Sequence, residues 1–98
     1  MKTISDVEDM TPGQLVSWFM IASYAYYRTD GEYQVMEDPT FDHLVKRLID
    51  NYDLTDHQHK KLITKENLQA GTGFDIKFPN MVIGAYRSYI REYYEITS

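Results

Sequence analysis

The residue types that could do chemistry stand in two short groups. One is the aromatic run Tyr24-Ala25-Tyr26-Tyr27, and the other is Asp38-Pro39-Thr40-Phe41-Asp42. Tyrosine combines a large apolar ring with a polar tip, so it suits half-buried surfaces that meet a ligand or a partner. No set of serine, histidine and aspartate indicates nucleophilic or acid–base catalysis, and paired carboxylates alone prove little. The chain is therefore expected to bind rather than to be an enzyme.

Two helices must position these groups. Thr11-Pro12-Gly13-Gln14 is a helix start with a capping residue, a proline in the first turn and a glutamine that closes a capping box. The helix is expected to run to about Arg28, and because it has no wide polar face it should be central. Asp38 is predicted to cap the second helix, with Pro39 in its first turn. Apolar residues at helical spacing carry that helix to about Asn51.

The rest of the chain adds further helices around this hairpin at 12–51. Met1 to Met10 is predicted to be a polar lead-in to the first helix. A third helix is expected from 55 to 63, a short extended segment near 74–78, and a last helix over about 80–95. The sequence thus predicts a single all-α domain over 1–98 with four helices.

The order of these residues carries a family resemblance. A helix ends in paired aromatics, a loop follows, and a second helix opens with a D-x-x-Y/F-D-x-L pattern from Asp38 to Leu44. Over residues 24–48 this resembles the first helical subdomain of bacterial NAD-dependent DNA ligases. In that family the hairpin holds the nicotinamide mononucleotide (NMN) half of NAD, which implies NAD or NMN as a weakly bound ligand of this chain.

The resemblance assigns roles residue by residue. Tyr26 matches a tyrosine that stacks on the ring, Phe41 matches a second aromatic, and Tyr27 stands where ligases have His or Tyr. Asp38 and Asp42 match the two aspartates that contact the nucleotide. Aromatic faces suit a positively charged nicotinamide ring, and carboxylates suit ribose hydroxyls. The chain departs from the family in a longer loop, in Phe41 for Tyr, and in the absence of the K-x-D-G motif that carries the adenylated lysine.

Each of these residues also has a structural alternative. Asp38 can act only as a helix cap, and Asp42 can form a helical ion pair with Lys46. Phe41 lies on the apolar stripe of the second helix, and the two tyrosines can pack against a core. The case for a site depends on their convergence on one hairpin.

Composition narrows the function classes. The net charge is −5, from 15 acidic and 10 basic residues, which disfavours direct binding to nucleic acid. The chain has no cysteine, which suits a cytoplasmic location, and its acidic start does not resemble a secretory leader. No apolar run approaches a membrane span. His57 and His59 are two residues apart and form a poor metal pair, so no metal is expected.

Three functions remain open. The chain is a stand-alone NMN- or NAD-binding module, a protein–protein interaction module that keeps the hairpin and can form a homodimer, or an accessory subunit of a split ligase or nucleotidyltransferase. Its small, acidic, tyrosine-rich character is typical of phage accessory proteins, which act in the host cytoplasm.

Overall fold

The computed structural model describes residues 1–28, 33–54 and 78–94, and 79% of these residues are helical. The all-α class predicted from the sequence is confirmed. Within the described residues there is no strand, and the β-type contact is an isolated parallel bridge between Lys2 and Met36. The helices are α1 (Ile4–Glu8), α2 (Pro12–Arg28), α3 (Asp38–Asn51), a 3-10 turn (Tyr52–Leu54) and α4 (Asn80–Tyr93).

Helix α2 begins with the capping box that the sequence predicts. The Gln14 backbone N–H donates to the Thr11 hydroxyl oxygen at 3.2 Å, and the Thr11 N–H donates to the Gln14 side-chain oxygen at 2.8 Å. Each side chain therefore satisfies a backbone donor that the first helical turn leaves without a partner. The helix then continues to Arg28, as expected.

Helix α2 is the centre of the fold. It packs against both α3 and α4, and Phe19 and Met20 in its middle are fully buried. The absence of a wide polar face in its sequence is explained by these two neighbours, which cover it from different sides. Its buried residues are Leu15, Val16, Phe19, Met20, Ile21, Ala22, Ser23 and Ala25.

The start of the chain differs from the sequence prediction. Residues 1–10 are not a polar lead-in, because Ile4–Glu8 form helix α1. Thr3 and Asp6 make a reciprocal capping box, and hydrogen bonds from the Thr3 backbone and side chain lower the pKa of the Asp6 carboxyl. Val7 is fully buried. One buried residue in a five-residue helix produces no periodic pattern, which is why the sequence did not reveal it.

Arg47 on α3 attaches this first helix to the body of the protein. Its guanidinium donates to the backbone carbonyl oxygens of Val7 and Met10, the second at 3.3 Å. The Val7 carbonyl lies in the last turn of α1 and also accepts the Met10 N–H at 3.1 Å, and Met10 lies two residues after the helix. A single half-buried arginine therefore binds the end of α1 and the residues that follow it, and fixes them against α3.

The capping residue of helix α3 lies one position earlier in the chain than the sequence predicts. Glu37 is in the capping position with extended backbone and no side-chain capping bond, and the Phe41 N–H donates to the Glu37 carbonyl at 3.0 Å. Asp38 is thus the first helical residue and not the cap, which corrects the prediction. The first helical turn closes on the Glu37 backbone, so the Asp38 carboxylate is not used for capping.

Other predictions fall partly or wholly outside the described residues. The third helix at 55–63 lies outside them, as does all of the extended segment except Phe78, which is neither helix nor strand. The last helix is confirmed from Asn80 and ends at Tyr93, while residue 95 is outside the described part. No helix among the described residues is long and apolar enough to cross a membrane.

Replacing Arg47 by Met tests how α1 is held. Methionine keeps much of the aliphatic length but removes both donors, so the carbonyls of Val7 and Met10 lose a charged partner. We expect the free energy of unfolding in urea to fall by about 1–3 kcal/mol. Lys46→Met, an exposed neighbour on the same helix, is the control and should change stability much less. Equal losses in the two variants would contradict this role of Arg47.

Candidate functional site

A cleft of about 230 Å³ lies between the end of α2, the segment 33–36 and the start of α3. The residues that line it come from these three parts of the chain. They are Ala22, Ala25, Tyr26 and Tyr27 from α2, Gln34, Val35 and Met36 from the segment, and Asp38, Phe41 and Asp42 from α3.

The cleft brings together all five residues that the sequence singled out. Tyr26, Tyr27, Asp38, Phe41 and Asp42 all line it. Ten residues lie between the two groups in the sequence, and the hairpin of α2 and α3 places the end of one helix beside the start of the next. The five residues therefore converge on one cavity and do not disperse separately into core and solvent.

The floor of the cleft depends on two small residues and one aromatic ring. Ala22, Ala25 and Tyr26 have i, i+3, i+4 spacing, so they share one face of α2, and the alanines leave open space beneath the tyrosine. The Phe41 ring stacks on buried Phe19 with centroids 5.7 Å apart and planes at 19°. Phe41 is half-buried and therefore belongs both to the core and to the cleft.

The two tyrosines form the aromatic edge of the cleft. Tyr26 and Tyr27 meet edge to face, with ring centroids 5.0 Å apart and planes at 70°. Tyr26 is 52% exposed, so much of its ring remains open to solvent. An exposed ring beside a cavity is available to stack on a flat ligand or to lie over a cation. The alternative that Tyr26 is a packing residue is therefore not favoured.

The carboxylates of Asp38 and Asp42 give the cleft its charge. They are four residues apart in the first turns of α3, so they lie on one face, and both residues are exposed. Neither side chain has a hydrogen bond or ion pair with the described residues, and the expected pair of Asp42 with Lys46 is not formed. Both carboxylates are thus available to accept hydrogen bonds from a ligand. Among the described residues that line the cleft, none is cationic.

The wall formed by segment 33–36 is held by three hydrogen bonds to consecutive carbonyl oxygens. The Tyr86 hydroxyl donates to the Tyr33 carbonyl at 3.0 Å, and the Tyr94 hydroxyl donates to the Gln34 carbonyl at 2.8 Å. The Lys2 backbone N–H donates to the carbonyl of Val35, also at 2.8 Å. A non-helical segment cannot satisfy its own carbonyls in this way, so the wall depends on α4 and on the start of the chain.

Aromatic packing fixes the two tyrosines that make these bonds. The Tyr86 ring lies against Tyr24 of α2 at 5.3 Å, and the Tyr94 ring lies against Tyr33 at 5.0 Å. Burial raises the pKa of Tyr94, and the neighbouring tyrosine hydroxyls raise it further. Tyr94 therefore remains a neutral hydroxyl that can donate to the Gln34 carbonyl. Sequence reasoning missed both residues as positioning residues, since the bonds join distant parts of the chain.

Three further lining residues, Gln34, Val35 and Met36, were also missed. They lie in a non-helical segment whose sequence has no period to interpret, and Val35 and Met36 are buried. The two alanines had a detectable signal, because their spacing places them on the same face of α2 as Tyr26. Within the described residues, no cluster of three or more histidine or acidic side chains could hold a metal ion.

Comparisons of the chain with known protein families, characterised proteins and solved structures find no match.

Replacing Tyr94 by Phe tests the hydrogen bond that holds the wall. Phenylalanine keeps the ring contacts with Tyr33 but leaves the Gln34 carbonyl without its donor. We expect the free energy of unfolding to fall by about 1 kcal/mol and amide exchange of residues 33–36 to accelerate. Tyr93→Phe is the matched control, because Tyr93 is 52% exposed and has no hydroxyl bond to a described residue. Equal exchange rates in the two variants would rule out this role for the Tyr94 hydroxyl.

The raised pKa of Tyr94 predicts a loss of stability at alkaline pH. Its folded-state pKa lies above the ordinary value of 10.0, so its contribution is complete below about pH 10 and is lost as pH rises through the raised value. The ionised oxygen can no longer donate to the Gln34 carbonyl. Urea unfolding across this alkaline range should show a shallower loss of stability in Tyr94→Phe than in the unmodified chain. An equally steep loss in both would contradict the prediction.

Proposed function

We propose that this chain is a non-catalytic module that binds the NMN part of NAD. The observation that carries the proposal is the convergence of Tyr26, Tyr27, Asp38, Phe41 and Asp42 on one cleft. These are the positions at which the chain resembles the NMN-binding hairpin of bacterial NAD-dependent DNA ligases.

The chemistry of the cleft suits this ligand. The exposed ring of Tyr26 offers a flat face to the positively charged nicotinamide, and cations favour the faces of aromatic rings. Asp38 and Asp42 offer carboxylate oxygens to the ribose hydroxyls. The Gln34 side chain is an additional polar group that can pair with the nicotinamide carboxamide.

The size of the cleft limits what it can hold. Its volume of about 230 Å³ lies below the roughly 300–1,000 Å³ of typical small-molecule pockets. Such a cleft accommodates the ring and ribose of one nucleoside rather than a whole dinucleotide. We therefore propose weak binding, in which the adenylate half of NAD stays outside.

The proposed role is binding without chemistry. The sequence has no K-x-D-G motif to form the adenylated lysine of a ligase. An accessory subunit of a split ligase, with that lysine on another chain, is one setting in which such a module would act. We also propose a cytoplasmic location and an accessory role in a phage-infected cell, from the cysteine-free, acidic and tyrosine-rich composition.

A protein–protein interaction module is the second candidate. Met81 and Tyr93 on α4 are 67% and 52% exposed, although both are large hydrophobic residues. Such residues are enriched in interfaces, and they do not line the cleft. In this alternative α4 binds another protein, or a second copy of the chain, and the cleft binds no nucleotide.

Titration with NMN, followed by amide NMR, tests the first proposal. We expect saturable shifts centred on Tyr26, Gln34, Asp38 and Asp42. Tyr26→Ala should weaken binding by about 1–3 kcal/mol, roughly a 5- to 150-fold loss of affinity, because the stacking face is removed.

Tyr93→Ala is the matched control for that variant. Tyr93 and Tyr26 are equally exposed, at 52%, and each meets the next tyrosine in the chain edge to face. The control should bind NMN as the unmodified chain does. The absence of saturable shifts at millimolar NMN would refute the nucleotide-binding proposal and favour the interaction module.

A further inference from the structure

The charge of the described cleft lining is unbalanced. Its described lining residues include two carboxylates, those of Asp38 and Asp42, and no lysine, arginine or histidine. NMN combines a positively charged ring with a phosphate that carries between one and two negative charges near neutral pH. The described lining residues offer this phosphate no cation, so they are complementary to only part of the ligand.

The carboxylates of Asp38 and Asp42 lie on the same side of the cleft. They are four residues apart on α3 and therefore share a face, and both are exposed beside the cavity. No described residue neutralises either one by an ion pair. Their negative fields consequently add at the cleft, where they attract a cationic ring and repel a phosphate attached to the same ribose.

The aromatic residues of the cleft also favour a cationic group over an anionic one. The open ring of Tyr26 and the half-buried rings of Tyr27 and Phe41 attract a positive charge over their faces. They have no N–H group, and the N–H donor among the described side chains of the lining is the neutral amide of Gln34, which the proposed complex uses for the carboxamide. The described lining therefore suits the ring and ribose better than a charged phosphate.

Building on the proposed function, we infer that the cleft selects the phosphate-free cation nicotinamide riboside over NMN and NAD. The three ligands share the same pyridinium ring and ribose; NMN adds one phosphate to them, and NAD adds a diphosphate and an adenosine. The selectivity is electrostatic, and the negative charges of the Asp38 and Asp42 carboxylates produce it.

Parallel NMR titrations with nicotinamide riboside and NMN test this inference. At low salt we expect nicotinamide riboside to bind roughly 3- to 30-fold more tightly than NMN. Added salt should narrow the difference, since exposed charges are screened. The ratio of the two dissociation constants is the measured quantity, because contributions from the shared ring and ribose cancel in it.

Three variants assign the selectivity to particular residues. Asp38→Asn and Asp42→Asn each remove one charge at the cleft and should reduce the ratio. Asp50→Asn removes the same charge from the exposed far end of α3, about 12 Å along the helix from Asp42, and should leave the ratio unchanged.

The possible outcomes separate the two proposals. If NMN binds as tightly as nicotinamide riboside, or more tightly, the charge selectivity is overturned while the nucleotide-binding proposal stands. If the ratio falls equally in Asp50→Asn, or in none of the three variants, the assignment to Asp38 and Asp42 is overturned. If neither ligand binds, both proposals fail.

Discussion

Three hydrogen bonds to the consecutive carbonyls of Tyr33, Gln34 and Val35 are the constraint on which the cleft depends. Their donors are the hydroxyls of Tyr86 and Tyr94 and the backbone N–H of Lys2. The segment they hold is not helical, so its carbonyls need partners from elsewhere. Those partners lie in α4, directly after α4 and before α1. The position of the wall therefore depends on how α1 and α4 pack in the fold.

The residues that line the cleft differ in how far the core of the protein fixes their positions. Phe41 packs on Phe19, so its position is fixed by the core and changing it would disturb both core and cleft. Asp38, Asp42 and Tyr26 are exposed, and the two carboxylates have no partner among the described residues. Exposed carboxylates without structural partners cost little stability to change, so Asp38 and Asp42 can be substituted with less effect on the fold than Phe41.

Local physics made part of this structure predictable. The capping box of α2 and the apolar periodicity of α3 predicted the hairpin. The hairpin in turn brings the five candidate residues to one cleft. The cap of α3 was predicted wrongly because the backbone of Glu37, and not the carboxylate of Asp38, closes the first turn. Helix α1 was missed because Val7 alone gives no period. The hydroxyls of Tyr86 and Tyr94 bond carbonyls 53 and 60 residues away, which no local pattern encodes.

That long separation along the chain has a kinetic consequence. The contacts of the α2–α3 hairpin are local, and local contacts form quickly because they close short loops. The bond from Tyr94 to Gln34 closes a loop of 60 residues, so the wall is completed after the hairpin. During synthesis the helices that carry Tyr26 and Asp42 can fold while the ribosome is still translating α4. The wall of the cavity is finished only when Tyr94 is available to bond the Gln34 carbonyl, so the shape of the cleft depends on residues made well after the hairpin.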